Sequence, residues 1–96
     1  MTTWFISRHP GAIEWIKKQN IHIDRFVQHL DVSLIQKGDI VIGTLPVHMA
    51  AEVCEKGAKF YFLSINMNFE QRGKELTVED LIAQGCRIVP YYVEQL

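Results

Sequence analysis

Hydrophobic positions along the chain fall into short blocks of two kinds, one continuous or alternating and the other spaced by three and four. Trp4–Ser7 begins as an apolar run and predicts a first strand. It gives way to Ser7-Arg8-His9, and Pro10 then fits the first position of a helix. Ala12, Ile13 and Ile16 follow at helical spacing up to Asn20, with Trp15 beside the stripe. Over Ile23–Leu30, Phe26, Gln28 and Leu30 alternate with Val27 and His29, which predicts a strand. Asp31–Lys37 has room for one helical turn, and Lys37-Gly38-Asp39 reads as a turn.

Asp39–Leu45, "DIVIGTL", is short, continuous and β-branched, the pattern of a strand buried on both faces. Pro46 opens a second helix through Met49, Ala50, Val53 and Cys54, closed by Gly57. Lys59–Ile65, "KFYFLSI", is another apolar strand. Asn66–Lys74 reads as a polar loop, and Thr77-Val78-Glu79-Asp80 as a capping-box start of a helix reaching Gly85. Arg87–Val93 predicts a last strand, placed at an edge by Pro90. Strands alternating with helices predict an α/β fold with a mainly parallel sheet of about five strands. The Leu30 to Asp39 connection is short for a parallel crossover, so that pair is either parallel or antiparallel.

Composition narrows the picture. The 96 residues suit one domain over 1–96, and no linker or repeat interrupts them. The net charge is -1, with five Lys/Arg against four Asp/Glu in residues 1–50 and five against seven in the remainder. That balance argues against a face for long nucleic acid, while a small anion needs only a local cluster of donors. Cys54 and Cys86 lack metal-ligand or CxxC spacing and read as reduced thiols. Thr2 and Thr3 lead straight into the first strand, and no apolar run reaches membrane length, so a cytoplasmic protein without membrane contact is expected.

Candidate chemistry gathers where strands end. In open parallel sheets, ligands bind beyond the carboxyl ends of the strands. Ser7, Arg8 and His9 follow the first strand; Thr44 and then His48 follow "DIVIG"; Ser64 and Asn66 follow "KFYFL". Two of these ends run into helices through Pro10-Gly11 and Pro46-Val47, and helix N-termini present free N–H groups to anions. Gly11 and Gly43 leave room for a ligand beside the backbone. Arg8 can fork two phosphate oxygens, and His9 or His48 can move a proton near neutral pH. Arg72 and Lys74 lie in a "QRGKEL" stretch suited to closing over phosphates.

Each residue also has a plainer reading. Arg8 can pair with a carboxylate, His9 can be a loop histidine, and His48 a capping or packing residue. Thr44 and Ser64 can bond backbone, and the "QRGKEL" stretch can be a surface turn. His22 and His29 read as structural. No dinucleotide fingerprint, P-loop, HExxH or GxSxG motif is present, and no metal or cofactor is expected.

The stretches "WFISRHPGAIEW", "HLD", "GDIVIGTLPVHMAAEVCEKGAKFYFLSI" and "QRGKEL" together resemble the small CRISPR-associated Csx-sixteen proteins of type III CRISPR loci. The similarity runs from about Trp4 to Tyr92. It implies a Rossmann-like domain akin to the CARF sensors, a homodimer, and ring nuclease activity on cyclic oligoadenylate, cyclic tetra-adenylate first, that switches off antiviral signalling. Within that expectation, the strand-end argument assigns Arg8, His9 and His48 to catalysis. It assigns Ser7, Pro10, Gly11, Gly43, Thr44, Ser64, Asn66, Arg72 and Lys74 to binding. The alternatives are a binding protein that holds the messenger without cutting it, and an interaction subunit with no ligand.

Overall fold

Once its side chains are buried, a strand's backbone N–H and C=O groups must find partners in other strands. The computed structural model describes residues 1–64 and 87–96 and shows how each apolar block meets this demand. Five strands, β1 (Thr3–Ile6), β2 (Arg25–Val27), β3 (Ile40–Gly43), β4 (Lys59–Ser64) and β5 (Arg87–Tyr91), form one sheet in the order β2-β1-β3-β4-β5. β1 pairs parallel with both β2 and β3, and β3 pairs parallel with β4. β5 returns antiparallel along β4. Among the described residues, two helices, α1 (Pro10–Lys18) and α2 (Val47–Glu55), flank the sheet. The chain is thus a small α/β protein with a mostly parallel sheet, and among the described residues β5 with its Pro90 is an edge strand, the place the sequence predicts for it.

The unbroken apolar runs become intelligible as two faces. Trp4, Ile6, Val41 and Phe60 point to the side where Ala50, Val53 and Cys54 of α2 pack. Phe5, Ile42 and Leu63 point to the other side, against Ala12, Trp15 and Ile16 of α1. Successive strand residues therefore serve opposite cores, and no polar position is left between them. Phe5, Ile16, Val41 and Val53 are completely buried.

The ambiguity over Leu30 to Asp39 resolves against an antiparallel pair. β2 and β3 do not touch; they flank β1, and both run parallel to it. The predicted strand Ile23–Leu30 contracts to Arg25–Val27. Before it, the Asp24 carboxylate accepts the Thr3 N–H at 2.8 Å; after it, Leu30 turns into the core on the α2 side. The crossover therefore takes residues 28–39, long enough for a parallel connection. It contains one 3-10 turn, Val32–Leu34, capped by Asp31, whose carboxylate accepts the Ser33 N–H at 3.0 Å. The Lys56 ammonium donates to the carbonyls of Val32 and, at 3.1 Å, Ile35, fastening the crossover to the end of α2.

Other boundaries shift for local reasons. β3 starts at Ile40 rather than Asp39, whose buried carboxylate accepts the Thr2 and Gln36 N–H groups, each at 3.0 Å, and the Trp4 indole N–H at 3.3 Å. β5 ends at Tyr91 rather than Val93, because the Val93 N–H donates instead to Cys54 Sγ at 3.4 Å. Pro46 is the N-cap of α2 rather than its first residue. The predicted Asn66–Lys74 loop and the helix from Thr77 to Gly85 lie outside the described residues.

Gly43 is fixed by its neighbour. It pairs with Ile6, and a Cβ built on it would lie 2.7 Å from the Ile6 carbonyl oxygen. Real Cβ atoms do not approach backbone that closely, so β1 and β3 would have to separate. Gly43→Ala is expected to cost about 1–3 kcal/mol, the usual range for overpacking, read from the urea midpoint.

Candidate functional site

The register aligns the strand ends in one row. Val27, Ile6, Gly43 and Phe62 are successive partners across β2, β1, β3 and β4. The residues one step further out form a rim. There the Ser7 N–H continues the ladder to the Val27 carbonyl at 3.1 Å. On the other side, the Thr44 hydroxyl donates to the Leu63 carbonyl at 3.1 Å. Four of the predicted residues, Ser7, Gly43, Thr44 and Ser64, therefore share one edge of the sheet, and the Ser7-Arg8-His9 turn leaves from it.

Strand order reverses between β1 and β3. β1 is followed by α1 and β2 on one side, and β3 by α2 and β4 on the other. At such a switch point the chains diverge to opposite faces and leave a crevice beyond the strand ends. The N-termini of α1 and α2 flank this crevice, one from each face.

The α1 entrance is built by its own backbone. His9 is the N-cap, in extended conformation, and its carbonyl accepts the Ala12 and Ile13 N–H groups at 3.0 and 3.2 Å. The Ser7 hydroxyl oxygen accepts the His9 N–H at 3.1 Å and closes the turn. Pro10 supplies the first helical φ and has no N–H to leave unpaired. Gly11 is buried, so its role is close packing of the helix start as well as any approach of a ligand. The His9 ring makes no capping bond, and Arg8 and His9 are both exposed. Arg8 makes no ion pair among the described residues.

At the α2 entrance, Pro46 is the N-cap, and its carbonyl accepts the Met49 and Ala50 N–H groups, each at 3.0 Å. The Val47 and His48 N–H groups stand in the first turn, where no intrahelical acceptor exists. His48 is exposed and Val47 is 77% exposed, so neither contributes to the core. Neither helix has an acidic residue of its own in its first turn to offset the positive end of its dipole.

The remaining assignments divide. The Thr44 hydroxyl proton is committed to Leu63, leaving only its lone pairs for a ligand donor. Gly43 answers to Ile6 before any ligand. Asn66, Arg72 and Lys74 lie outside the described residues. The two histidines read as structural also part company. His22 is bound to Asp24 at 2.9 Å, away from the rim. His29 is exposed just beyond the end of β2, on the same edge as Ser7. Its position at a strand end was legible; that β2 lies beside β1 was not. A separate open groove of about 340 Å³, lined by Lys59, Phe60, Tyr61 and Tyr91 among others, lies at the opposite end of β4.

Fold and rim together define a small α/β protein with polar residues along the strand ends at the switch point of a mostly parallel sheet. Residues 4–94 match the family described as "Putative CRISPR-associated protein (Cas_VVA1548)", and the chain belongs to that CRISPR-associated family. No curated protein and no solved structure matches it. Among the described residues, no helix is long and apolar enough to cross a membrane.

Proposed function

We propose that this protein is a CRISPR-associated ring nuclease that binds cyclic oligoadenylate at the β1/β3 crevice and cleaves it. The observation that carries the reading is that two helix N-termini, with exposed Arg8, His9 and His48, follow the ends of the neighbouring parallel strands β1 and β3. Membership of a CRISPR-associated family supports a role in that defence system, and the resemblance to the Csx-sixteen proteins is what points to the messenger. The strand order and the placement of a helix on each face agree with a CARF-like, Rossmann-like ancestry for the domain.

The chemistry asks little of the protein. Each phosphodiester of the ring has a ribose 2′-OH beside it. Attack of that oxygen on phosphorus forms the 2′,3′-cyclic phosphate and breaks the bond to the 5′-oxygen. The enzyme must align the two oxygens and stabilise the charge gathering on the phosphoryl group. Arg8 and the N–H groups at the two helix starts do the latter. One histidine takes the 2′-OH proton and another gives a proton to the 5′-oxygen, so the roles of His9 and His48 are complementary. Ser7 holds the His9 backbone in place, and Thr44 and Ser64 line the rim. A two-fold dimer would present the same groups twice to a ring with internal symmetry.

The test is incubation of the purified protein with cyclic tetra-adenylate in EDTA, with products separated by chromatography. Linear oligoadenylates ending in 2′,3′-cyclic phosphate are expected. An intact ring that raises the melting temperature would leave a messenger-binding protein without catalysis. An intact ring with no shift would remove the reading altogether. Arg8→Ala is expected to weaken binding about tenfold or more, the cost of losing a charge-assisted contact, measured by titration calorimetry.

A further inference from the structure

The antiparallel return of β5 brings its first residue, not its last, to the edge where the parallel strands end. Arg87 is the register partner of Ser64, the last residue of β4. Arg87 is exposed, with its backbone held in the β4 ladder. The rim thus carries a cation that no strand-end reading of the parallel strands would include. Arg8 leaves the end of β1 and Arg87 opens β5, with β3 and β4 between them. Three strand spacings separate the two backbones, about 14 Å. The α2 N-terminus opens from β3, between the two arginines. No other Lys or Arg within the described strands lies at this end of the sheet. Lys59 is the first residue of β4, at the far end, and Arg25 pairs with Trp4 below the rim.

We propose that Arg87 is a second phosphate-binding residue, and that the rim is built for a ligand bearing two or more phosphodiesters rather than for a mononucleotide. The inference rests on the crevice being an oligoadenylate site, and it specifies which side of that crevice the rest of the ligand follows. A phosphate held by Arg8 and the helix starts leaves the neighbouring nucleotides to run across β3 and β4. Arg87 then meets a second phosphate there. Arginine suits this role because its planar fork matches phosphate oxygens in pairs.

The experiment compares wild type, Arg87→Ala, Arg87→Lys and Lys59→Ala in binding AMP, linear tetra-adenylate and cyclic tetra-adenylate over a series of salt concentrations. Lys59→Ala removes the same charge from the far end of β4 and controls for net charge. In Arg87→Ala, affinity for both tetra-adenylates is expected to fall about tenfold. The slope of log K against log salt should become shallower by about 0.7, one phosphate contact on a single strand. AMP binding should not change, Arg87→Lys should recover part of the loss and the slope, and Lys59→Ala should match wild type. If Arg87→Ala binds both tetra-adenylates like wild type, or loses AMP affinity equally, the proposal is overturned. A wild-type protein that binds tetra-adenylate through Arg87 but does not cut the ring would sink the nuclease reading and leave this one standing. One that cuts the ring with Arg87→Ala unaffected would do the reverse. Failure to bind any of the three ligands would overturn both.

Discussion

Replacing His9 and His48 together with alanine is expected to slow cleavage of cyclic tetra-adenylate about 10²–10⁴-fold, the range attributed to positioned proton-transfer groups. Binding should be largely preserved, because Arg8 and the helix starts remain. The folded state should be equally stable. The His9 ring makes no capping bond, and its backbone N–H and carbonyl, which do organise the turn, survive in alanine. His48 is exposed and stands outside the buried stripe of α2. The measurement is a single-turnover rate with saturating enzyme, paired with a melting curve. Single variants then divide the roles: loss of one proton-transfer partner alone should account for most of the effect, since the two act on one reaction. A double variant that cuts at the wild-type rate would remove the histidines from the mechanism and leave electrostatic stabilisation by Arg8 and the helix N-termini.

The second large effect concerns stability. Asp39→Ala is expected to cost about 3 kcal/mol, because three N–H groups lose their acceptor. The buried carboxylate gathers the Thr2, Gln36 and Trp4 donors. It ties the start of the chain, the end of the crossover and the sheet at one point. Burial by itself raises the pKa of this carboxyl, but the N–H donors of Thr2, Gln36 and Trp4 outweigh it and hold the value below the ordinary one. Asp24 is lowered chiefly by the Thr3 N–H, and Asp31 chiefly by the Ser33 hydroxyl. A carboxyl lowered on folding adds stability above its unfolded pKa, and loses that contribution as pH falls through its folded pKa. Urea midpoints should therefore decline on acidification below the ordinary carboxylate range. Asp39→Asn cannot be protonated there, so its deficit relative to wild type should narrow as pH drops. A deficit that stays constant with pH would mean that Asp39 acts only through packing.

Much of this architecture was legible because burial on both faces leaves a plain trace. In "IVIG" and "FYFL", successive residues serve opposite cores, so the run is apolar throughout, and Pro10 after β1 and Pro46 after β3 mark the helix starts. Ser7, Gly43, Thr44 and Ser64 could be placed on one edge because a parallel sheet puts the ends of β1, β3 and β4 together. The length of β2 was not legible. Alternation continues through Leu30, but that residue turns into the α2-side core while Asp24 diverts a backbone N–H before the strand begins. Nor was strand order legible, since β2 and β3 are consecutive in sequence and separated by β1 in the sheet. Asp39 read as turn because nothing local reveals that its carboxylate faces inward. Arg87 was hidden for a topological reason: only the reversed direction of β5 carries the beginning of that strand to the rim.

The two outer strands have a consequence for how the chain behaves in a crowded solution. Open strand edges are templates for stacking one copy on another without limit. Here β2 offers only three residues, with Arg25 exposed and the Lys17 ammonium 5.4 Å from the Phe26 ring centre. At the opposite edge, β5 carries Pro90, which has no N–H to give and a fixed φ. Both margins are poor templates for a newcomer strand, so the sheet resists growing sideways into polymers.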